Sequence, residues 1–384
     1  AETNYQTALL LAERISNSAA VARAQLGLGT LCKLQGLYAN ALDMLEKARS
    51  GYEALRDDRA LAGVLIEVGR VLYRKGEYAD AQQWLKHGLA LARTIGDKNA
   101  VAMALNNLGS IASDQGDYTN ARIFFEESLA LRREAGDKQG IANSLGNLGL
   151  MAFDQGDYTV AGILHEESLL LRRETGDKHG IANSMNNIGN VHYSLGDYAA
   201  AQALWEESLL LTRQIGDQRG VAMALNNLAE LAFNQGDHKT GWALQEENLF
   251  LRRGMGDKLG IANSLGNLAS AAAIQADFGT ARPLFEESLT LRMEIDDKLG
   301  IAFLLSNLAE VAAALGDVTR AACLAAAAET LLASISGFLP PDERSRQNKT
   351  IAIARETLGE PAFQSAWDAG ERLTMKEAVE LALQ

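Results

Sequence analysis

Glycine recurs at Gly36, Gly76, Gly116, Gly156, Gly196, Gly236 and Gly316, with Ala276 in the one remaining slot, so the spacing is 40 residues without a slip. A fixed period of this length marks a solenoid, a propeller or another array whose units bury their apolar faces against neighbours. Two residues after these positions stand Tyr38, Tyr78, Tyr118, Tyr158 and Tyr198, then His238, Phe278 and Val318. Five residues after them stand Ala41, Ala81, Ala121, Ala161, Ala201, Ala281 and Ala321. A chain of 384 residues would ordinarily suggest about two or three domains, but the period makes it a run of copies of one small unit.

Each unit reads as a helical hairpin. In the first half, Leu145, Leu148, Gly149 and Ala152 fall on one face at helical spacing; in the second half Ala161, Leu164, Ser168 and Leu171 do the same. The joints Gly156-Asp157 and Gly176-Asp177 offer a left-handed residue that ends one helix and a carboxylate that caps the next. Strand signals are absent. The register predicts a lone second helix over 1–15, eight hairpins over 16–337 and a C-terminal helical cap over 338–384. The cap divides into helices over about 342–358 ending at Gly359, over about 361–370 with Gly370 after its end, and one opened by a Thr374/Glu377 capping box. Pro283, inside a second helix, predicts a local kink. Ala1 falls inside a unit with no Met before it, so the sequence reads as part of a longer protein, with upstream domains or a partner expected over Leu9 and Leu11.

Composition narrows the function classes. Lys and Arg total 36 against 49 Asp and Glu, a net charge of −13, which disfavours nucleic acid and anionic membrane surfaces. Cys32 and Cys323 have no metal-spaced companions, so they read as packing residues in a reducing, cytoplasmic compartment, and no metal or cofactor is expected. No Walker, zincin, nucleophile-elbow or dinucleotide motif occurs, and the five histidines occupy unrelated slots, so an enzyme is not expected.

The series Leu108, Gly109, Gly116, Tyr118, Ala121, Phe125, Ser128 resembles the tetratricopeptide-repeat consensus, in a lengthened form that ends in G-D-K. This form is similar to the repeats of Pins-type scaffolds and of many bacterial signalling proteins. The resemblance implies an all-α, right-handed superhelical solenoid whose first helices line a concave groove and whose second helices face outward. The stretch LGEPAFQSAWDAGERLTMKEAVELAL also resembles the tail that closes such regions in bacterial STAND-type ATPase regulators, departing from it at Glu371.

The candidate site is a ladder of asparagines on the first helices: Asn107, Asn147, Asn187, Asn227, Asn267 and Asn307, with Asn143, Asn183 and Asn263 one turn earlier. Asn190 and Asn234 lie on the same stripe, opposite the apolar one. Asn disfavours helix interiors by a few tenths of a kcal/mol, about 0.5 relative to Ala. Six in register therefore need a reason. A carboxamide both donates and accepts, which complements an extended peptide backbone; the competing explanation is that the amides tie neighbouring helices together. Phe153, Tyr193 and Phe233 read as packing between first helices more than as ligand pockets, and the Glu-Glu and Arg-Arg pairs as a solvated outer face. The leading reading is a protein- or peptide-binding sensor or scaffold. The alternatives are a small-molecule sensor and an oligomerisation array that self-associates through its N-terminal end.

Overall fold

A computed structural model describes residues 2–335 and 337–384. Among them every regular element is an α-helix. A lone helix, α1 (Glu2–Arg14), precedes sixteen helices that alternate as first and second members of the repeat. Their first helices are α2 (Ser18–Leu34), α4 (Asp58–Lys75), α6 (Lys98–Asp114), α8 (Lys138–Asp154), α10 (Lys178–Ser194), α12 (Gln218–Asn234), α14 (Lys258–Ile274) and α16 (Lys298–Ala314). Their second helices are α3 (Tyr38–Leu55), α5 (Tyr78–Thr94), α7 (Tyr118–Ala135), α9 (Tyr158–Thr175), α11 (Tyr198–Ile215), α13 (His238–Met255), α15 (Phe278–Glu294) and α17 (Val318–Ser334). Three more follow, α18 (Pro341–Leu358), α19 (Glu360–Glu371) and α20 (Met375–Ala382).

The joints form as their chemistry dictates. At the end of α6, Gly116 takes φ 76°, the Asp117 amide returns to the Ala112 carbonyl at 2.8 Å, and the Asp117 carboxylate caps the amide of Asn120 at 3.2 Å. Four non-glycine residues occupy the same left-handed position: Ser16, Arg56, Ala276 and Asp296.

The chain divides into two compact units, Ala1–Asp197 and Tyr198–Gln384. In each, a first helix packs on its own second helix, each second helix packs on the next first helix, and successive first helices touch. The first helices thus form an inner layer. Leu45, Ile66, Leu85, Leu105 and Ile111 are fully buried in the first unit, and Leu225, Leu265, Phe285 and Leu305 in the second. Serines bolt the layers together: the Ser128 hydroxyl donates to the Ala102 carbonyl at 2.9 Å, and Ser288 donates to Ala262 at 2.8 Å.

Helices α18, α19 and α20 cover α16 and α17. The Thr374/Glu377 capping box forms at the start of α20. Gly370, expected beyond a helix end, instead lies inside α19, because the helix presses on α17: a Cβ there would stand 2.2 Å from the Cys323 carbonyl oxygen. Helix α15 runs unbroken through Pro283. The lost bond would have gone to the carbonyl of Gly279, an exposed first-turn residue that water can satisfy. Leu10 and Leu11 of α1 are exposed while Leu9 is half-buried.

Candidate functional site

The ladder slot lies on the inner stripe of the first helices, but its amides do different things. Asn107 Nδ2 turns back to the Met103 carbonyl of its own helix at 2.7 Å. Asn147 Nδ2 reaches across to Asn106 Oδ1 at 3.1 Å, and Asn267 Nδ2 to Asn226 Oδ1 at 3.2 Å, each joining one hairpin to the next. At these two rungs the amides tie the stack. Asn307 is almost buried. One turn earlier, Asn143 and Asn263 are exposed and accept from arginines: Arg172 Nη2 to Asn143 Oδ1 at 3.3 Å, and Arg292 Nη2 to Asn263 Oδ1 at 2.7 Å. On α10, Asn183 is exposed and Asn187 half-buried, and neither side chain has a hydrogen-bond partner among the described residues. Asn190 and Asn227 are half-buried, and Asn234 is exposed.

In the first two units the slot holds Gly27 and Glu67. The ring of Tyr5 fills the space where a Gly27 side chain would stand, its nearest atom 2.2 Å from that Cβ position. Glu67 binds Lys33 at 2.5 Å and also pairs with Arg70.

Two clefts open on the inner layers. That of the first unit has a volume of ≈ 560 Å³; its lining includes Asn106, Asn107, Asn143, Asn147, Arg70, Arg132 and Arg172, with Asp137 as its one carboxylate. That of the second unit has ≈ 360 Å³, and there Arg252 and Arg292 share the lining with Glu230 and Glu343, the last contributed by α18. Burial pushes the Glu343 carboxyl up, Arg346 opposes the shift, and nearby Glu310 adds to it.

The arginines are a correction. Arg132, Arg172 and Arg252 belong to Arg-Arg pairs expected on a solvated outer face, and only the second member of each pair fits that account. Arg133 pairs with Glu167 at 3.1 Å and Arg253 with Glu287 at 2.7 Å, bridging successive second helices. The first members turn inward, across the start of the next hairpin. Their seat is a glycine eight residues on: a Cβ at Gly140 would lie 2.4 Å from Arg132 Nη1, and one at Gly180 would lie 2.7 Å from Arg172 Nη1. Arg252 over Gly260 and Arg292 over Gly300 repeat the arrangement. Burial lowers the basicity of Arg132 and Arg172, partly offset by Asp137 and Asp177 respectively. The signal was in the sequence as co-occurrence: units with Ala92 and Tyr52 in the arginine slot carry Ala100 and Ala60 in the glycine slot.

Asn106 and Asn226 were also missed. They show as an Asn-Asn dipeptide followed by Gly-Asn 40 residues later, at Gly146-Asn147 and Gly266-Asn267. Two rings of the aromatic slot pack within their own hairpin and not, as expected, between first helices: Phe153 tilts onto Tyr158 of α9 at 5.2 Å and Phe233 onto His238 of α13 at 6.3 Å. Among the described residues no three His, Cys, Asp or Glu side chains converge as a metal site, and no helix is long and apolar enough to cross a membrane.

The sequence model of the tetratricopeptide repeat matches residues 1–54, 60–134, 140–209, 180–240 and 260–334. No curated protein matches the chain. Among solved structures it is similar to the apo form of the quorum sensor NprR from B. thuringiensis, at 18% identity and TM-score 0.59 over 74% of this chain and 80% of that one. It is also similar to a Rap protein complexed with Competence and Sporulation Factor, at 14% identity and TM-score 0.59 over 73% of this chain and 76% of that one. A third is a STAND protein with a tetratricopeptide repeat sensor from Pyrococcus horikoshii, at 11% identity and TM-score 0.60, covering 96% of this chain and 55% of that one. At such identities the likeness establishes the fold and leaves function to the residues of the site.

Proposed function

The chain belongs to the tetratricopeptide-repeat family, and on that premise we propose that its inner face holds an extended peptide or protein segment, without catalysis, as the sensing or scaffolding part of a larger cytoplasmic signalling protein. The observation that carries this reading is the pair Asn183 and Asn187, one turn apart on α10, whose amides bond to nothing among the described residues. A helix tolerates such residues at a cost, and an amide with both valences free on an inner face is suited to grip a backbone N–H and C=O. The exposed Asn143 and Asn263 add amide donors within their own units, their Oδ1 atoms being taken by Arg172 and Arg292.

The solved relatives support the reading by analogy. One is a quorum sensor and one is bound to a signalling factor. A third, a Rap conjugation gene regulator at 14% identity, is in complex with the Phr* peptide. The STAND relative joins a repeat sensor to an ATPase, which is the context proposed for this chain.

The test is capture of short synthetic peptides by the whole protein, followed by titration of the captured sequences against an Asn183→Ala/Asn187→Ala variant. Binding should weaken by about tenfold or more, as expected for two lost hydrogen bonds at about 1 kcal/mol each. Equal affinity in the variant removes the amide grip from the reading.

A further inference from the structure

The two clefts differ in how their guanidinium groups are compensated. In the second unit each arginine is neutralised where it sits: Arg252 Nη1 lies 2.6 Å from Asp257 and its Nε donates to Asn248 at 2.9 Å, while Arg292 pairs with Asp297 and Asn263. Glu230 and Glu343 add acid to the same wall. In the first unit Arg132 makes no hydrogen bond among the described residues, and its single ionic contact is Asp137 at 4.0 Å. Its side chain is only 11% exposed. Arg172 gives one hydrogen to the Gly180 carbonyl at 2.8 Å and one to Asn143, with no carboxylate in salt-bridge range. The buried Nε of both lacks an acceptor, as does that of Arg292, so the difference between the units lies in the carboxylates and not at Nε.

A guanidinium carries five donors, and one held out of water without partners is costly unless something else takes them up. Arg132 meets that cost in full and Arg172 in part, and side chains are absent at Gly140 and Gly180 where the two guanidinium groups lie. We propose that this cleft is a carboxylate site. Arg132, with Arg172 beside it, takes a carboxylate of the bound segment through charge-assisted hydrogen bonds, and the surrounding amides of Asn106, Asn107, Asn143 and Asn147 position the adjoining main chain. The inference rests on the peptide reading above for its ligand, and it adds a preference for acid that the net charge of −13 conceals. The carboxylate comes from an Asp or Glu side chain or from a chain terminus.

Short peptides with free C-termini, captured by the whole protein, are to be resynthesised as acid and amide forms and with each Asp or Glu changed to Asn or Gln. One of these neutralisations should weaken binding by about tenfold or more. The sensitive position identifies the source, side chain or terminus. Arg132→Gln should produce the same loss and abolish the sensitivity; Arg132→Lys should retain part of it. Gly140→Ala, which unseats the guanidinium while leaving it in the protein, should mimic Arg132→Gln and supplies the measurement if that variant does not fold.

Succinate is the second probe, read on the Arg132 Nε–H resonance of the wild-type protein at constant ionic strength. Peptides that bind equally well when neutralised overturn the carboxylate site and leave the peptide groove standing. A succinate-responsive Arg132 with no captured peptide keeps the carboxylate site and removes the peptide reading. Silence in both measurements removes both.

Discussion

At the scale of single residues, most turns between helices place a glycine at positive φ. The turns follow because a left-handed residue has few chemical solutions, and the exceptions are informative: Ala276 at φ 58° and Asp296 at φ 54° hold a conformation that glycine holds elsewhere. Ala276→Gly should raise stability by about 1 kcal/mol, since an L side chain in that region costs roughly this much; the shift is measured by urea unfolding. Asp296→Gly should gain less, because Asp tolerates the region better. The asparagine ladder was visible because it recurs at the 40-residue spacing. What each amide does was not, because Asn107 satisfies itself on its own helix whereas Asn147 finds Asn106 in the neighbouring hairpin. Arg132 was misplaced for a geometric reason. Adjacent helical residues differ by about 100° in direction, so a pair of arginines cannot share one face: Arg133 meets the expectation of a solvated face and Arg132 does not.

At the scale of the element, helix ends matched expectation where Gly and Asp mark them and failed where glycine serves contact instead. Gly370 is the instance. Gly370→Ala should destabilise the packing of α19 on α17 by about 1–3 kcal/mol, since backbone and not a flexible side chain stands in the way; thermal unfolding followed by circular dichroism reads the loss. Helix α9 carries a second consequence. Its His165 is 1% exposed in the slot that Phe125 and Phe285 fill elsewhere, with Nδ1 unpartnered. Desolvation, then the nearby Arg172 charge, lowers its pKa from 6.5 to about 4, so the folded imidazole stays neutral. As pH falls below about 6.5 the unfolded chain takes up a proton that the folded chain refuses, and stability declines until the pH nears about 4. The loss across that window is of the order of 3 kcal/mol. His165→Phe should flatten this part of the stability-versus-pH curve; an unchanged slope between pH 6.5 and pH 4 contradicts the assignment.

At the scale of the whole molecule, each helix answers mainly to its neighbours, so protection against exchange should follow position in each unit. Helix α1 packs on α2 and exposes Leu10 and Leu11, whereas α17 is covered by α18, α19 and α20. Amide hydrogens of α1 should therefore exchange well before those of α17, as mass spectrometry on the intact chain would show. The charge of the chain is also not one quantity. Acids paired with Arg133, Arg213 and Arg253 belong to the outer helices, while guanidinium groups face the clefts. Because each inward arginine sits over a glycine eight residues on and beside an aspartate five residues on, the charge of the inner face behaves like text that can be edited one letter pair at a time. The step from α11 to α12 already offers the blank: Gly220 stands opposite Thr212, so Thr212→Arg alone should write in a cation. The step from α5 to α6, with Ala92 and Ala100, needs both letters changed together. An array built this way can acquire a new ligand preference without altering a single residue of its amide ladder.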